Sequence, residues 1–156
     1  MSEPVVLSVV VRLLLPAILL FGLYVQGHGE ISPGGGFQAG VIVATGIVAF
    51  ALVHGIRRAR RALPAVFVES AMAVGLTMYV GVGFATLLLG GQFLDYAALA
   101  AQPALGRHIG IFLIELGVGL AVASVMVTIF FTFAAVGRDV ADSTETDSDD
   151  AEGGGR

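Results

Sequence analysis

The chain has 156 residues, of which 56% are hydrophobic and only 13% charged, with no cysteine and no lysine. An ordinary soluble domain is about 25% charged, and a chain this short cannot enclose so much apolar surface in a soluble core. The composition is therefore that of a polytopic membrane protein, and disulfides, iron–sulfur clusters and thiolate metal sites are excluded.

The first apolar run covers residues 4–25, interrupted by Arg12 and Pro16. A helix needs about 20 apolar residues to cross a bilayer, and this run supplies them. Glu3 stands where a basic n-region would be and no small-residue cleavage site follows, so no signal peptide is predicted. Residues 28–36 (HGEISPGGG) connect to a second run at 37–56. The next segment, 57–63, holds Arg57, Arg58, Arg60 and Arg61. A third run follows at 64–89 and a fourth at 109–136. Between them, 90–108 has room for a short interfacial helix at about 94–101. Residues 139–156 are rich in Asp, Ser, Thr and Gly without an aromatic, a composition that predicts a disordered tail.

The predicted fold is all-α, with four transmembrane helices in 1–138 and an acidic tail at 139–156. The net charge of -4 hides this division, because the first part is +2 and the tail -6. Short loops rich in arginine stay cytoplasmic. Arg57, Arg58, Arg60, Arg61 and Arg138 fall on one side with Arg12 nearest to them, and Arg107 alone falls on the other. Both termini are thus predicted to be cytoplasmic and 28–36 external. No internal repeat is visible, which argues against a self-contained secondary transporter built from inverted halves.

Ionisable groups inside a bilayer need a partner or a task. Arg12 lies about 10 Å into the first span at 1.5 Å per residue, and either snorkels to the headgroups or pairs with Glu69. Glu69 lies about one turn into the third span in the same leaflet. Glu115 lies about 10 Å into the fourth span from the other side. A carboxylate there is protonated, paired or facing a wet path. It serves either a packing hydrogen bond at a subunit contact or the movement of protons or cations. His28 and His108 belong to the same half as Glu115 and are candidates to meet it. His54 sits near the opposite end of the second span, and the three histidines lack metal-ligand spacing.

The run Pro33, Gly34, Gly35, Gly36 has no following lysine and no preceding strand, so it is not a phosphate loop. It reads as a tight entry into the second span. Small residues recur at Gly40, Gly75, Gly81, Gly83, Gly117, Ala121 and Ser124, where membrane helices approach closely. They are more than four helices need, so contact with other subunits is expected. No nucleophile–base pair or carboxylate pair at catalytic spacing is present, and an enzyme is not predicted.

A longer pattern carries more. Arg12 and Pro16, Tyr24 and Val25, His28 and Gly29, the run SPGGGF ending at Phe37, and Gly40 together resemble the MnhB/MrpB-like subunits of the Mrp-type (Mnh-type) multisubunit Na+/H+ antiporters. Glu69 and Ser70, Phe93 and Leu94, and the ELGVG run from Glu115 to Gly119 add to the match, which spans roughly residues 9–133 and leaves out the tail. The resemblance implies an accessory subunit of a cation/proton antiporter in a prokaryotic plasma membrane. Its partners would be other small and large membrane subunits, with Na+ and protons as the transported ions. It implies no cofactor and no nucleic acid. Pro33, Gly34, Gly35, Gly36 and Phe37 form the signature, and Glu69 and Glu115 fall on matching positions as candidate ion-path groups. The same module in a membrane-bound hydrogenase, or a self-associating membrane protein, are the alternatives.

Overall fold

A computed structural model describes residues 5–29 and 35–153, with side chains described for 6–29 and 35–137. Among these the chain is all-helical: α1 (Val5–Gly27), α2 (Gly36–His54), α3 (Ile56–Ala62), α4 (Ala65–Leu88), a 3-10 helix (Tyr96–Leu99) and α5 (Pro103–Gly153). Four segments are long and apolar enough to cross a bilayer: Val6–Gly27, Gly36–His54, Ala65–Leu88 and Pro103–Gly137. These are the four predicted spans. Helix is the form such runs take in lipid, because each backbone N–H must find its acceptor within its own segment.

The spatial order is not the chain order. Helix α1 packs on α2, α2 on α5, and α5 on α4, so the last span lies inside a row α1–α2–α5–α4. Two glycines explain its place. Gly117 and Gly119 are two residues apart, or about 200° around a helix of 3.6 residues per turn, so they face opposite ways. Gly117 meets α4: a Cβ there would lie 2.8 Å from the Gly75 carbonyl oxygen. Gly119 meets α2: a Cβ there would lie 3.1 Å from the Gly36 carbonyl oxygen, and one at Gly40 2.6 Å from that of Gly119. Without side chains at these points α5 comes close to both neighbours. Lipid tails are as apolar as leucine, so such close packing has to hold the helices together.

The arginine segment is a helix rather than a plain loop. Ile56, Ala59 and Leu63 recur at helical spacing and pack on the buried cluster of Ala44, Ala51, Val68, Val127 and Phe131. Arg57, Arg58 and Arg61 stay exposed. Arg60 is exposed as well, yet its Nη2 donates to the Phe131 carbonyl at 3.1 Å and its guanidinium lies 5.4 Å from the centre of the Phe131 ring. The segment therefore ties α3 to α5. Gly55, at φ 88°, makes the turn between α2 and α3.

At the opposite end the connection from α4 to α5 folds back on the bundle. Fully buried Thr86 donates to the Gly83 carbonyl at 2.8 Å and accepts the Leu94 N–H at 2.9 Å. The helix predicted at about 94–101 is the shorter turn Tyr96–Leu99. Helix α5 starts at Pro103, ahead of the predicted 109. Proline suits a first helical turn, where its missing N–H has no partner to lose. The α5 backbone continues through the acidic segment to Gly153.

The outer surface is apolar. Helix α1 buries only 6% of its span, and Leu13, Leu20, Phe67, Leu76, Leu88 and Phe133 are all more than 60% exposed. These faces are built for lipid or for other helices.

Gly75→Ala puts a methyl 2.6 Å from one α5 backbone atom and 2.7 Å from another. It is expected to destabilise the protein by about 1–3 kcal/mol, as overpacking does. Gly81→Ala meets nothing within 4 Å and is expected to be neutral or to gain up to about 1 kcal/mol of helix propensity. Thermal melts of the two variants in mild detergent check the contrast.

Candidate functional site

Glu115 stands on α5 and is half-buried. Three glycines make room for it. A Cβ at Gly36 would overlap the Glu115 carbonyl oxygen, so the first turn of α2 rests on the α5 backbone. A Cβ at Gly35 would lie 2.9 Å from Glu115 Oε1, and one at Gly29 would run into both carboxylate oxygens. The carboxylate is thus lodged between the end of α1 and the start of α2. Gly35 also holds φ at 118°, a conformation that side-chain-bearing residues avoid.

This gives the glycine signature a physical meaning. Gly35 and Gly36 touch Glu115, whereas Phe37, at the same helix start, is 63% exposed and faces outward. Pro33 and Gly34 lie outside the described residues. So does most of the connection predicted to be external.

His28 and His108 share this end with Glu115, and both are exposed. His28 stacks on Tyr24 with ring centres 4.3 Å apart. His108 lies seven residues before Glu115, about two turns along the same stripe of α5.

Two buried polar residues did not stand out in the sequence. Gln26, near the end of α1, is 9% exposed. Its Oε1 would be 2.5 Å from a Cβ at Gly119, and its Nε2 has no hydrogen-bond partner among the described residues. It borders a cavity of about 260 Å³ whose other walls include Leu23, Ala39, Val43, Met78 and Leu120. The signal available was its place: an amide two residues before His28, at the end of a largely apolar helix.

His54 is the other, at 8% exposure. Its Nε2 lies 3.1 Å from Ser8 Oγ and 3.3 Å from Arg12 Nε, and its ring stacks on Phe50. Arginine can only donate, so Nε2 accepts and the ring proton sits on Nδ1, which is buried without a partner among the described residues. Of the two readings left open for Arg12, snorkelling or pairing with Glu69, the second is replaced by this contact with His54. Helices α1 and α4 stand at opposite ends of the row, with α2 and α5 between them. The shared leaflet was legible; the helix order was not. Glu69 itself is exposed on the outer side of α4.

Among the described residues no three His, Cys, Asp or Glu gather as a metal site. What the arrangement offers chemically is a carboxylate at a helix crossing, with a buried amide against Gly119 on the same helix.

A Cβ at Gly36 meets α5 backbone, so Gly36→Ala is expected to lower the yield of folded protein, and Gly35→Ala to do so through its positive φ. Gly27→Ala, with nothing within 4 Å, is expected to leave it unchanged. Size-exclusion profiles of the three variants check this. In double-mutant cycles read by thermal stability, Arg12→Ala and His54→Ala are expected to couple by at least about 0.5 kcal/mol. Arg12→Ala and Glu69→Ala are expected to add within about 0.5 kcal/mol.

Comparison with known proteins is consistent with this geometry. A domain family described as related to the MnhB subunit of Na+/H+ antiporter matches residues 6–128. The chain is 33% identical over 134 residues to the B-type subunit of the Na(+)/H(+) antiporter of Bacillus subtilis, covering 84% of this chain and 93% of that protein. It is 31% identical over 131 residues to the B-type Na(+)/H(+) antiporter subunit of Alkalihalophilus pseudofirmus, covering 78% of this chain and 90% of that one. With four apolar helices and a family match over most of its length, the chain is a multi-pass membrane protein that belongs to the MnhB-related family of Na+/H+ antiporter subunits.

Proposed function

We propose that the chain works as an accessory membrane subunit of a multisubunit Na+/H+ antiporter in the cell membrane, and that Glu115 is its contribution to the ion path. The observation that supports this most is the place of Glu115, a carboxylate lodged among glycines at the crossing of α1, α2 and α5. Glu115 and Gln26 lie toward the glycine-loop end of the bundle. Toward the arginine end the seam between α2, α4 and α5 holds a cavity of about 120 Å³ lined by Val43, Ile47, Leu63, Phe67 and Ser124. Its one hydroxyl, of Ser124, already donates to the Leu120 carbonyl at 2.8 Å. A cation or proton that continued from Glu115 along this seam would meet apolar walls. Completing the crossing takes polar groups from a neighbour, which is what an accessory subunit implies.

The partners are the other membrane subunits of the complex, docked on the apolar faces that the row of helices leaves uncovered. The arginine end, with α3, faces the cytoplasm by the charge rule, and the glycine loop faces outward. Residues 1–138 are assigned to the membrane domain and 139–156 to an acidic cytoplasmic tail, from the division of charge along the sequence. Glu69, exposed near the arginine end, faces headgroups or a neighbouring subunit.

Two measurements test this. A chain tagged at its C-terminus and extracted gently from native membranes is expected to carry several other hydrophobic subunits with it. Recovery alone would contradict the reading. Glu115→Gln keeps the size of the side chain and removes the charge. In vesicles holding the assembled complex it is expected to lower Na+/H+ antiport about a hundredfold, the low end of what one proton-transfer group contributes. Unchanged antiport would take Glu115 off the path.

A further inference from the structure

We propose that one face of the bundle seats an anionic phospholipid, with the headgroup on the arginine helix α3 and an acyl chain in the apolar trough that α3 closes. The headgroup side follows from the sequence of α3. Ile56, Ala59 and Leu63 pack on the bundle, and Arg57, Arg58 and Arg61 are exposed on the other side. Arg61 is three residues from Arg58 and four from Arg57, the spacings that make helix side chains neighbours. Like charges so placed repel, and a helix of seven residues has little stability of its own. An anion between the guanidinium groups relieves the repulsion, and arginine presents its donors in a fork that fits phosphate oxygens. Within residues 35–137 the acids are Glu69, Asp95 and Glu115. Asp95 and Glu115 belong to the opposite end. Glu69 comes two residues after Phe67, so it points about 200° away from it around α4.

The trough begins at the same helix. Leu63, which caps α3, is also a wall of the cavity of about 120 Å³ between α2, α4 and α5, with Phe67 beside it. That cavity shares Val43, Leu120 and Ala123 with the one of about 260 Å³, so the two run together along α5. Their α5 residues Leu116, Leu120, Ala123 and Val127 recur at three and four and form one stripe. The stripe continues to Phe131, where Arg60 is anchored. Helix α3 therefore lies across the end of the trough, against the same face of the row. From Leu116 to Val127 the stripe runs about 16 Å at 1.5 Å per residue, close to one leaflet's half of the roughly 30 Å hydrocarbon core. Its walls are apolar apart from Ser124, whose hydroxyl is bonded to the Leu120 carbonyl, and Gln26 at the far end. A helix from a neighbouring subunit could cover such a trough, but it would leave three guanidinium groups without a counter-ion. A phospholipid satisfies both. The seat does not depend on whether Glu115 carries ions.

Photolabelling of the assembled complex in phosphatidylcholine vesicles tests this. The probes are phosphatidylglycerol and phosphatidylcholine, each with a diazirine on its acyl chain and each added in trace amount, and mass spectrometry locates the labelled residues. One arginine near the surface strengthens binding of an anionic lipid about fivefold. With three, the phosphatidylglycerol probe is expected to label Phe67 and Leu120 at least about tenfold more than the phosphatidylcholine probe does. Leu13 and Leu20, on the outer face of α1, serve as the reference and are expected to take both probes alike. Combining Arg57→Gln, Arg58→Gln and Arg61→Gln is expected to abolish the preference in the trough and leave α1 unchanged. Arg61→Gln alone is expected to lower it about fivefold, and serves if the triple variant does not assemble. Equal labelling of the trough by the two probes, or a preference that survives loss of the arginines, overturns the inference. So does a trough that takes neither probe in the complex, which would mean that a neighbouring subunit fills it. A preference that emerges only when residues 139–156 are removed would assign the arginines to the acidic segment and overturn it as well.

Discussion

Close approach of α5 to two helices at once is the constraint on which the rest depends. It is made by glycines facing opposite ways: Gly117 toward Gly75, and Gly119 toward Gly36 and Gly40. In lipid no hydrophobic force draws one apolar helix to another, so the bundle is held by contact between backbones and small side chains. The same contacts build the candidate site. Glu115 meets the end of α1 and the start of α2 only because Gly29, Gly35 and Gly36 have no side chains to keep it away.

The two ends of the bundle are held by different chemistry. At the arginine end the contacts are polar and cationic: His54 with Ser8 and Arg12, and Arg60 with the carbonyl and ring of Phe131. At the other end a loop is pinned by Thr86, which both donates to Gly83 and accepts from Leu94. The two arrangements fix where the helices start and stop, and so set the depth of Glu115. Along the seam between the ends, polar side chains are few, and Gln26 borders a cavity otherwise walled by apolar residues and glycines.

Much of this was legible in the sequence. The four spans follow from apolar length, and the glycine signature with Glu115 followed from a resemblance that the family match bears out. The helical character of the arginine segment was legible too, since Ile56, Ala59 and Leu63 keep helical spacing. It was hidden because four arginines drew attention to charge and topology. Gln26 and His54 were harder. A lone amide or imidazole in an apolar run looks the same whether it faces lipid, water or another helix.

What the sequence by itself determined is the set of elements: long apolar runs must be helices in a bilayer, because no other form satisfies their backbone within one segment. It also determined the chemical stock, in which carboxylates, arginines and glycines are sparse enough to be placed singly. Only the tertiary structure decided which helices touch. Apolar helices of similar length have no preferred neighbour until their small residues are aligned face to face. That alignment placed α5 between α2 and α4, set Arg12 against His54 rather than Glu69, and brought Gln26 against Gly119.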